Sequence, residues 1–284
     1  MGILCPYHYF GCFDNVDYSR IRIEGKSFKV RDLEKALIVP ERDRAIINKW
    51  IEKAENKPTI AFCCSHRHAE RVAKSFRNAG INAESYLSKT TSEKRLEIRD
   101  NLQTGKVKVI CTVDIFNEGI DIPFAECLLF LRPTESKRIF FQQLGRGLRH
   151  SVGKDHCTVI DFIGNFKNAF KIVEYQTLDN EGPEEDAVVS RFLQNPKDVF
   201  NLPDGCKVEF EEKVIDLFGQ ISNDPRFASR QNIGKILIYQ YERLRNDLGR
   251  KPTKQDIDRN CLLGRDLYKL VFGSWKNFEL IIEK

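Results

Sequence analysis

No stretch of this 284-residue chain holds the ~18 consecutive apolar residues that a membrane-spanning helix needs. The first residues, MGILCPYHYFGCFDN, put no basic segment ahead of an apolar core, so no secretory signal is expected there. No two cysteines stand at the Cys-x-x-Cys spacing of a zinc site or a redox pair. The nine cysteines are odd in number, and Cys63, Cys64, Cys111, Cys127 and Cys157 fall in or beside apolar runs. That placement predicts buried, reduced thiols and a cytoplasmic location. His66 and His68 form a lone His-x-His around Arg67, which predicts a solvated surface and no metal ligand. Repeats and low-complexity tracts are absent as well.

Hydrophobic residues make up 41% and charged residues 31%, the composition of a soluble globular protein long enough for one large domain and a small one. The formal net charge of +5 is unevenly placed. Residues 230–284 hold 12 Lys/Arg against 7 Asp/Glu, and the first 229 residues hold 34 of each. A basic C-terminal module on a neutral body points to a polyanionic partner, although a solvated helical surface gives the same count.

Between residues 59 and 163 short apolar runs alternate with helical patterns. Strands are expected at 59–64, 83–88, 107–113, 126–131 and 157–163, with helices at 66–80, 91–105 and 136–150. Thr91 or Ser92 can cap the second helix and Gly105 can stop it. This rhythm predicts an α/β fold: a parallel sheet flanked by helices, with ligands at the carboxyl ends of its strands. Ahead of it, SRIRIEGKSFKV predicts a small hairpin and ERDRAIINKWIEKAENK an amphipathic helix. Behind it, the acidic stretch 178–190 reads as a connector, and CKVEFEEKVIDLF as a strand and a helix. From 231 onward the pattern is helical, broken at Gly249–Pro252 and Gly273. The expected domains are an initial segment with a hairpin (1–40), the α/β domain (41–177), a connector (178–229) and an all-α module (230–284).

Two stretches carry the chemistry. FFQQLGRGLRH (140–150) sets Arg146 and Arg149 three apart beside glycines, with Phe140, Phe141, Leu144 and Leu148 as a buried flank. On a helix that spacing puts both guanidinium groups on one side, an arrangement suited to a polyphosphate. An exposed basic helix face explains the pair equally well on its own. CTVDIFNEGIDIP (111–123) leaves a strand at Thr112 and passes Glu118 and Gly119 to reach Asp121. Gly119 would let backbone approach a ligand, and the Asp121 carboxylate can accept from sugar hydroxyls; an ordinary exposed loop is the alternative.

Taken in order, TIAFCCSHRHAERVAKSF, VKVICTVDIFNEGIDIP and QQLGRGLRH resemble motifs IV, V and VI of the second, RecA-like motor lobe of superfamily 2 helicases. The last fits Gln-x-x-Gly-Arg-x-x-Arg through Gln142, Gly145, Arg146 and Arg149. LRPTESKRIFFQQLGRGLR resembles the restriction-type and repair-type branch, and the likeness spans about residues 1–175. DEAD-box RNA helicases carry His where this chain has Gln142. The resemblance implies that Arg146 and Arg149 are arginine fingers reaching ATP on the other lobe, with Gln142 and Gly145 near the nucleotide. It also implies that Gly119 and Asp121 touch the ribose, and that Ser65 and Thr112 hold nucleic-acid phosphates.

The first lobe of such motors carries a phosphate loop, Gly-x-x-x-x-Gly-Lys-Ser/Thr, and an acidic Mg2+ motif. RIRIEGKS ends in Gly25-Lys26-Ser27 but has Arg20 where the first glycine belongs, and no Asp-Glu dipeptide occurs. The chain is therefore expected to be a fragment or half-motor, inactive alone, with ATP and Mg2+ held mainly by a first lobe outside it. GRKPTKQDIDRN and YKLVFGSWKNFELIIEK are similar to the homing-endonuclease-associated repeat, a small helical DNA-binding module. That likeness makes Arg250, Lys251, Lys254, Arg265 and Lys269 candidate phosphate contacts, and leaves Phe272 and Trp275 as core. The expected function is the second lobe of an ATP-dependent DNA helicase or translocase acting on duplex DNA. A non-catalytic nucleic-acid-binding accessory protein on the same fold is the main alternative. A standalone phosphate-binding enzyme is a weaker one, since no nucleophile or base accompanies the arginines.

Overall fold

In a computed structural model of the chain the described residues are 4–16, 18, 21–24, 27–113, 122–133, 137–164, 202, 204–223, 237–238, 241–242, 244–246, 248–260, 265–272 and 274–282. They fall into two compact units, 1–218 and 219–284.

The first unit is a seven-stranded parallel sheet flanked by helices, in the order β5-β6-β4-β7-β8-β1-β9. Five strands are the expected runs: β4 (Thr59–Phe62), β5 (Ala83–Ser85), β6 (Val109–Thr112), β7 (Cys127–Phe130) and β8 (Cys157–Ile163). Every residue of β4, β6, β7 and β8 is buried, because helices cover both faces of a parallel sheet; that is why these runs show no alternation of polar and apolar residues. The helices α2 (Pro40–Ala54), α3 (His66–Asn78), α4 (Ser92–Gln103) and α5 (Lys137–Gly147) supply the cover. Thr91 caps α4, its hydroxyl accepting from the Lys94 N–H at 3.3 Å. Ahead of α1 (Val30–Leu37), β2 (Ile23–Glu24) and β3 (Ser27–Phe28) pair antiparallel as the expected hairpin.

Two further strands come from outside the expected α/β domain. β1 (Tyr7–Phe13) lies between β8 and β9 (Lys207–Phe210). The run YHYFGCF carries a glycine in mid-strand, a pattern that reads weakly as a strand. The packing explains it: a Cβ at Gly11 would stand 2.3 Å from the Phe210 ring, so Gly11 lets β9's aromatic lie against the β1 backbone. The helix α6 (Glu212–Asn223) follows β9.

The core beneath the sheet is rich in aromatics. Trp50 is fully buried, edge-on to Phe76, and its indole N–H donates to Thr59 Oγ1 at 2.7 Å. All eight described cysteines are free and seven are buried. The described residues contain no helix long and apolar enough to cross a membrane.

His68 corrects the expectation of a solvated His-x-His. His66 is exposed, but His68 lies on the inner face of α3, fully buried, with its Nδ1 accepting from the Cys64 N–H at 3.3 Å. The i, i+4 spacing of His68 with Val72, and then Phe76, puts it on the core stripe. Burial first, and then the charge of Arg42, lower its pKa to about 3. Asp161 moves the other way: burial raises its carboxyl to about 7, although it accepts from the Tyr9 hydroxyl at 2.7 Å. The two groups tilt stability oppositely. Between about pH 6.5 and 3 the unfolded chain protonates His68 and the folded one does not, so stability falls on acidification. Between about pH 7 and 4 the folded chain keeps the Asp161 proton that the unfolded one loses, so stability rises on acidification. Asp161→Asn should therefore stabilise the protein more at pH 8 than at pH 4.5. His68→Gln should remove a loss at pH 4.5 that wild type suffers. Thermal melts of the three proteins at both pH values check this, and pH-independent differences would refute it.

The second unit holds only helices among its described residues. They include α7 (Lys254–Asn260), α8 (Arg265–Phe272) and α9 (Trp275–Ile282), around a core of Leu237, Tyr241, Leu244, Ile257, Tyr268 and Phe278. Phe272 and Trp275 pack against that core, as the sequence suggests. Thr253 and Asp256 form a reciprocal capping box: Asp256 Oδ2 accepts from the Thr253 N–H at 2.8 Å, and Thr253 Oγ1 from the Asp256 N–H at 3.2 Å.

Candidate functional site

The arginine segment is built differently from a continuous helical face. The helix expected over 136–150 stops at Gly147, so Arg146 sits in its last turn and Arg149 lies beyond it. Three contacts turn the chain there. Gly147 presses on Leu128 of β7, where a Cβ would stand 2.6 Å from the leucine side chain. Arg149 forms a β-bridge with Leu4, and the Cys5 N–H donates to the Leu148 carbonyl at 2.7 Å. Last, the buried ammonium of Lys154 gathers carbonyls: Ala125 at 2.5 Å, Pro123 at 3.2 Å, Arg149 at 3.3 Å, and Gly147. A cation at these carbonyls meets the negative end of α5. Arg146 is half-buried and Arg149 exposed.

Lys154 is the residue that sequence reasoning missed. Its only local signal is a lysine after a turn glycine, in SVGKDH, and nothing in that pattern foretells a buried ammonium. Lys154→Met takes the donor from four carbonyls and should cost about 1–3 kcal/mol. Thermal unfolding measures it; a variant within 0.5 kcal/mol of wild type would show that the carbonyls are satisfied otherwise.

The other expected positions divide. Gln142 is exposed. Its neighbour Gln143 is fully buried, and neither of its amide atoms has a hydrogen-bond partner among the described residues. A Cβ at Gly145 would meet nothing within 4 Å, so packing does not require that glycine. It lines an apolar cavity of about 270 Å³ with Leu4, Tyr7, Phe141, Leu144 and Leu148. Gly119 and Asp121 lie outside the described residues.

Thr112 ends β6, where its carbonyl accepts from the Cys63 N–H at 2.7 Å, and Ser65 follows two residues after Cys63 at the start of α3. Neither hydroxyl is an open, unengaged donor at the surface. Ser65 caps α3, accepting from the His68 N–H at 3.1 Å, and donates to the Glu34 carboxylate of α1. The Thr112 hydroxyl is buried, with no partner among the described residues. In the second unit Arg250 is forked onto Asp256 at 2.8 and 3.2 Å. The Asp256 carboxyl is held well below its usual range, first by that pairing and then by the Thr253 bonds. Lys254, Arg265 and Lys269 line one cavity. Lys251 is exposed.

A nucleotide's phosphate tail calls for a backbone cradle as well as cations. Nothing in the sequence supplies the glycine-rich backbone that cradles one. Among the described residues no cluster of His, Cys, Asp or Glu is placed to hold a metal.

Residues 41–151 match the family described as "Helicase conserved C-terminal domain". Relatives include the Saccharomyces cerevisiae protein named "Putative ATP-dependent helicase IRC3" (31% identical over 164 residues, covering 57% of this chain and 24% of that one). The endonuclease subunit of the type I restriction enzyme EcoKI of Escherichia coli is 25% identical over 240 residues (78% of this chain, 20% of that one). The DNA 3'-5' translocase XPB2 of Sulfurisphaera tokodaii is 32% identical over 103 residues (36% and 22%). The chain thus spans about a quarter or less of the length of these three relatives. Among solved structures, the C-terminal domain of the DEAD-box protein Dbp5 aligns over 77% of this chain and 98% of its own at 13% identity and a TM-score of 0.46.

Proposed function

Residues 41–151 belong to the helicase conserved C-terminal domain family found in superfamily 2 helicases, and from that premise we propose that this chain is the second motor lobe of an ATP-dependent DNA helicase or translocase. Its arginines act on ATP held by a first lobe. Bound there with Mg2+, the nucleotide supplies the phosphoryl group whose cleavage drives movement. Arg146 and Arg149 would offset the charge that gathers on that group, and the segment is braced for this role. One observation carries the reading most: Arg149 is fastened by its backbone, through the Leu4 bridge and Lys154, while its side chain reaches solvent. A guanidinium so mounted is pre-organised for a ligand arriving from outside the lobe.

The alternative, a nucleic-acid-binding accessory protein on the motor fold, draws support from the cations of the second unit. Duplex DNA suits the restriction-type and XPB2 relatives, and the free thiols suit a reducing cytoplasm. Nucleotide turnover separates the two readings. The motor reading expects none above background from this chain alone, and nucleic-acid-stimulated turnover once a first lobe is joined to it. A pure binder shows none in either form.

A further inference from the structure

The five C-terminal cations expected as separate phosphate contacts do not act alike. Arg250 is matched by Asp256 in a two-pronged ion pair and serves the start of α7. Lys254, Arg265 and Lys269 instead line one cavity of about 420 Å³, with Ser274 and Trp275. They reach it from two helices. Lys254 is the first residue of α7, Arg265 the first of α8, and Lys269 stands one turn further along α8. Like charges four apart on a helix repel, so α8 is destabilised by carrying both on the cavity side. No carboxylate lines the cavity among the described residues, and neither Lys254 nor Lys269 has a carboxylate partner there. Ser274 caps α9, its hydroxyl accepting from the Asn277 N–H at 3.1 Å, which brings the positive end of that helix to the same wall. The aromatic in the wall does not offer a platform for a base. Trp275 donates its indole N–H to Glu279 at 2.7 Å, packs on Tyr268 and Phe278, and carries the Lys254 ammonium over its ring at 5.8 Å.

We infer that this cavity binds one phosphate group of a nucleic-acid strand, with Lys254, Arg265 and Lys269 around its oxygens. The phosphate site stands on this geometry; that the phosphate belongs to a strand rests on the motor reading above. Three cations and a helix end give the charge density a phosphate needs, and a site that reads no base edge fits a motor that travels over any sequence.

The two tryptophans make the test direct. Trp275 lines the cavity, and Trp50 is sealed in the other unit. The whole chain is titrated, following tryptophan fluorescence, with inorganic pyrophosphate and separately with a short duplex oligonucleotide. Both should change the signal, and Trp275→Phe should abolish the change. Lys254→Ala with Lys269→Ala should weaken both ligands at least tenfold and flatten the salt dependence of duplex binding by about one phosphate contact. Arg250→Gln should leave both within twofold. Lys254 and Lys269 are exposed, and an unchanged melting temperature confirms that the double variant folds. Pyrophosphate binding that survives the double substitution overturns the site. Weakened pyrophosphate with unchanged duplex binding overturns the strand as the source, and leaves the motor reading untouched.

Discussion

Arg149→Ala, in a protein that joins this chain to a first motor lobe, is expected to lower ATP turnover on the order of 10³-fold while leaving nucleic-acid affinity within about twofold. The size follows from what an arginine finger does: its charge is worth most where negative charge spreads over the transferred phosphoryl group, in a site that excludes water. The split follows from the mounting. Arg149 is held through its backbone by Leu4 and Lys154, so truncating the side chain leaves the segment's path intact. Arg149→Lys should recover little, because one ammonium cannot present the planar fork. A loss confined to nucleic-acid binding, with turnover per bound complex unchanged, would place Arg149 on the strand and not on the nucleotide.

Asp14→Ala is expected to destabilise the first unit by about 3–5 kcal/mol. Asp14 and Arg42 are both buried, and their pair is short and multiple: Arg42 Nε and Nη2 donate to the carboxylate at 3.0 and 2.9 Å. Tyr18 adds its hydroxyl at 2.8 Å, and Arg42 Nη2 also donates to the Leu131 carbonyl at 3.0 Å. The guanidinium of α2 thus ties together the chain just past β1 and just past β7. Removing the carboxylate strands a charge in the interior, and that drives the loss. The double variant Asp14→Ala/Arg42→Met should be more stable than Asp14→Ala alone, since it removes both charges and refills most of the volume. Chemical denaturation of wild type, Asp14→Ala, Arg42→Met and the double variant closes the cycle. A cost below about 1 kcal/mol for Asp14→Ala would mean that water reaches the arginine.

What the sequence disclosed depended on how local the cause was. Strands β4, β6, β7 and β8 were legible because burial on both faces leaves short, wholly apolar runs. Thr91 was legible as a cap because capping acts over three residues. β1 was not, because Gly11 looks like a break until Phe210, far along the chain, is laid against it. The end of α5 was missed for the same kind of reason. Within FFQQLGRGLRH nothing halts the helix; Leu128, Leu4 and Lys154 do, and all three act at a distance. His68 reads as surface in HRHAER until the α3 stripe through Val72 and Phe76 is seen to continue through it. Motif spacing singled out candidate residues but not their partners. The Ser65 hydroxyl is engaged by Glu34, and Arg250 by Asp256, so chemistry that looked available is in use elsewhere. Conversely, Lys254, Arg265 and Lys269 look scattered in sequence and share one wall in space.

The central claim is that this chain contributes charge to a nucleotide it cannot hold by itself. Steady-state ATP hydrolysis tests it most directly, measured with duplex DNA present on this chain alone, on a first motor lobe alone, and on the two joined. Background rates for each part and DNA-stimulated turnover for the joined protein, lost in Arg149→Ala, are the expected result. Robust hydrolysis by the 284-residue chain alone would contradict it.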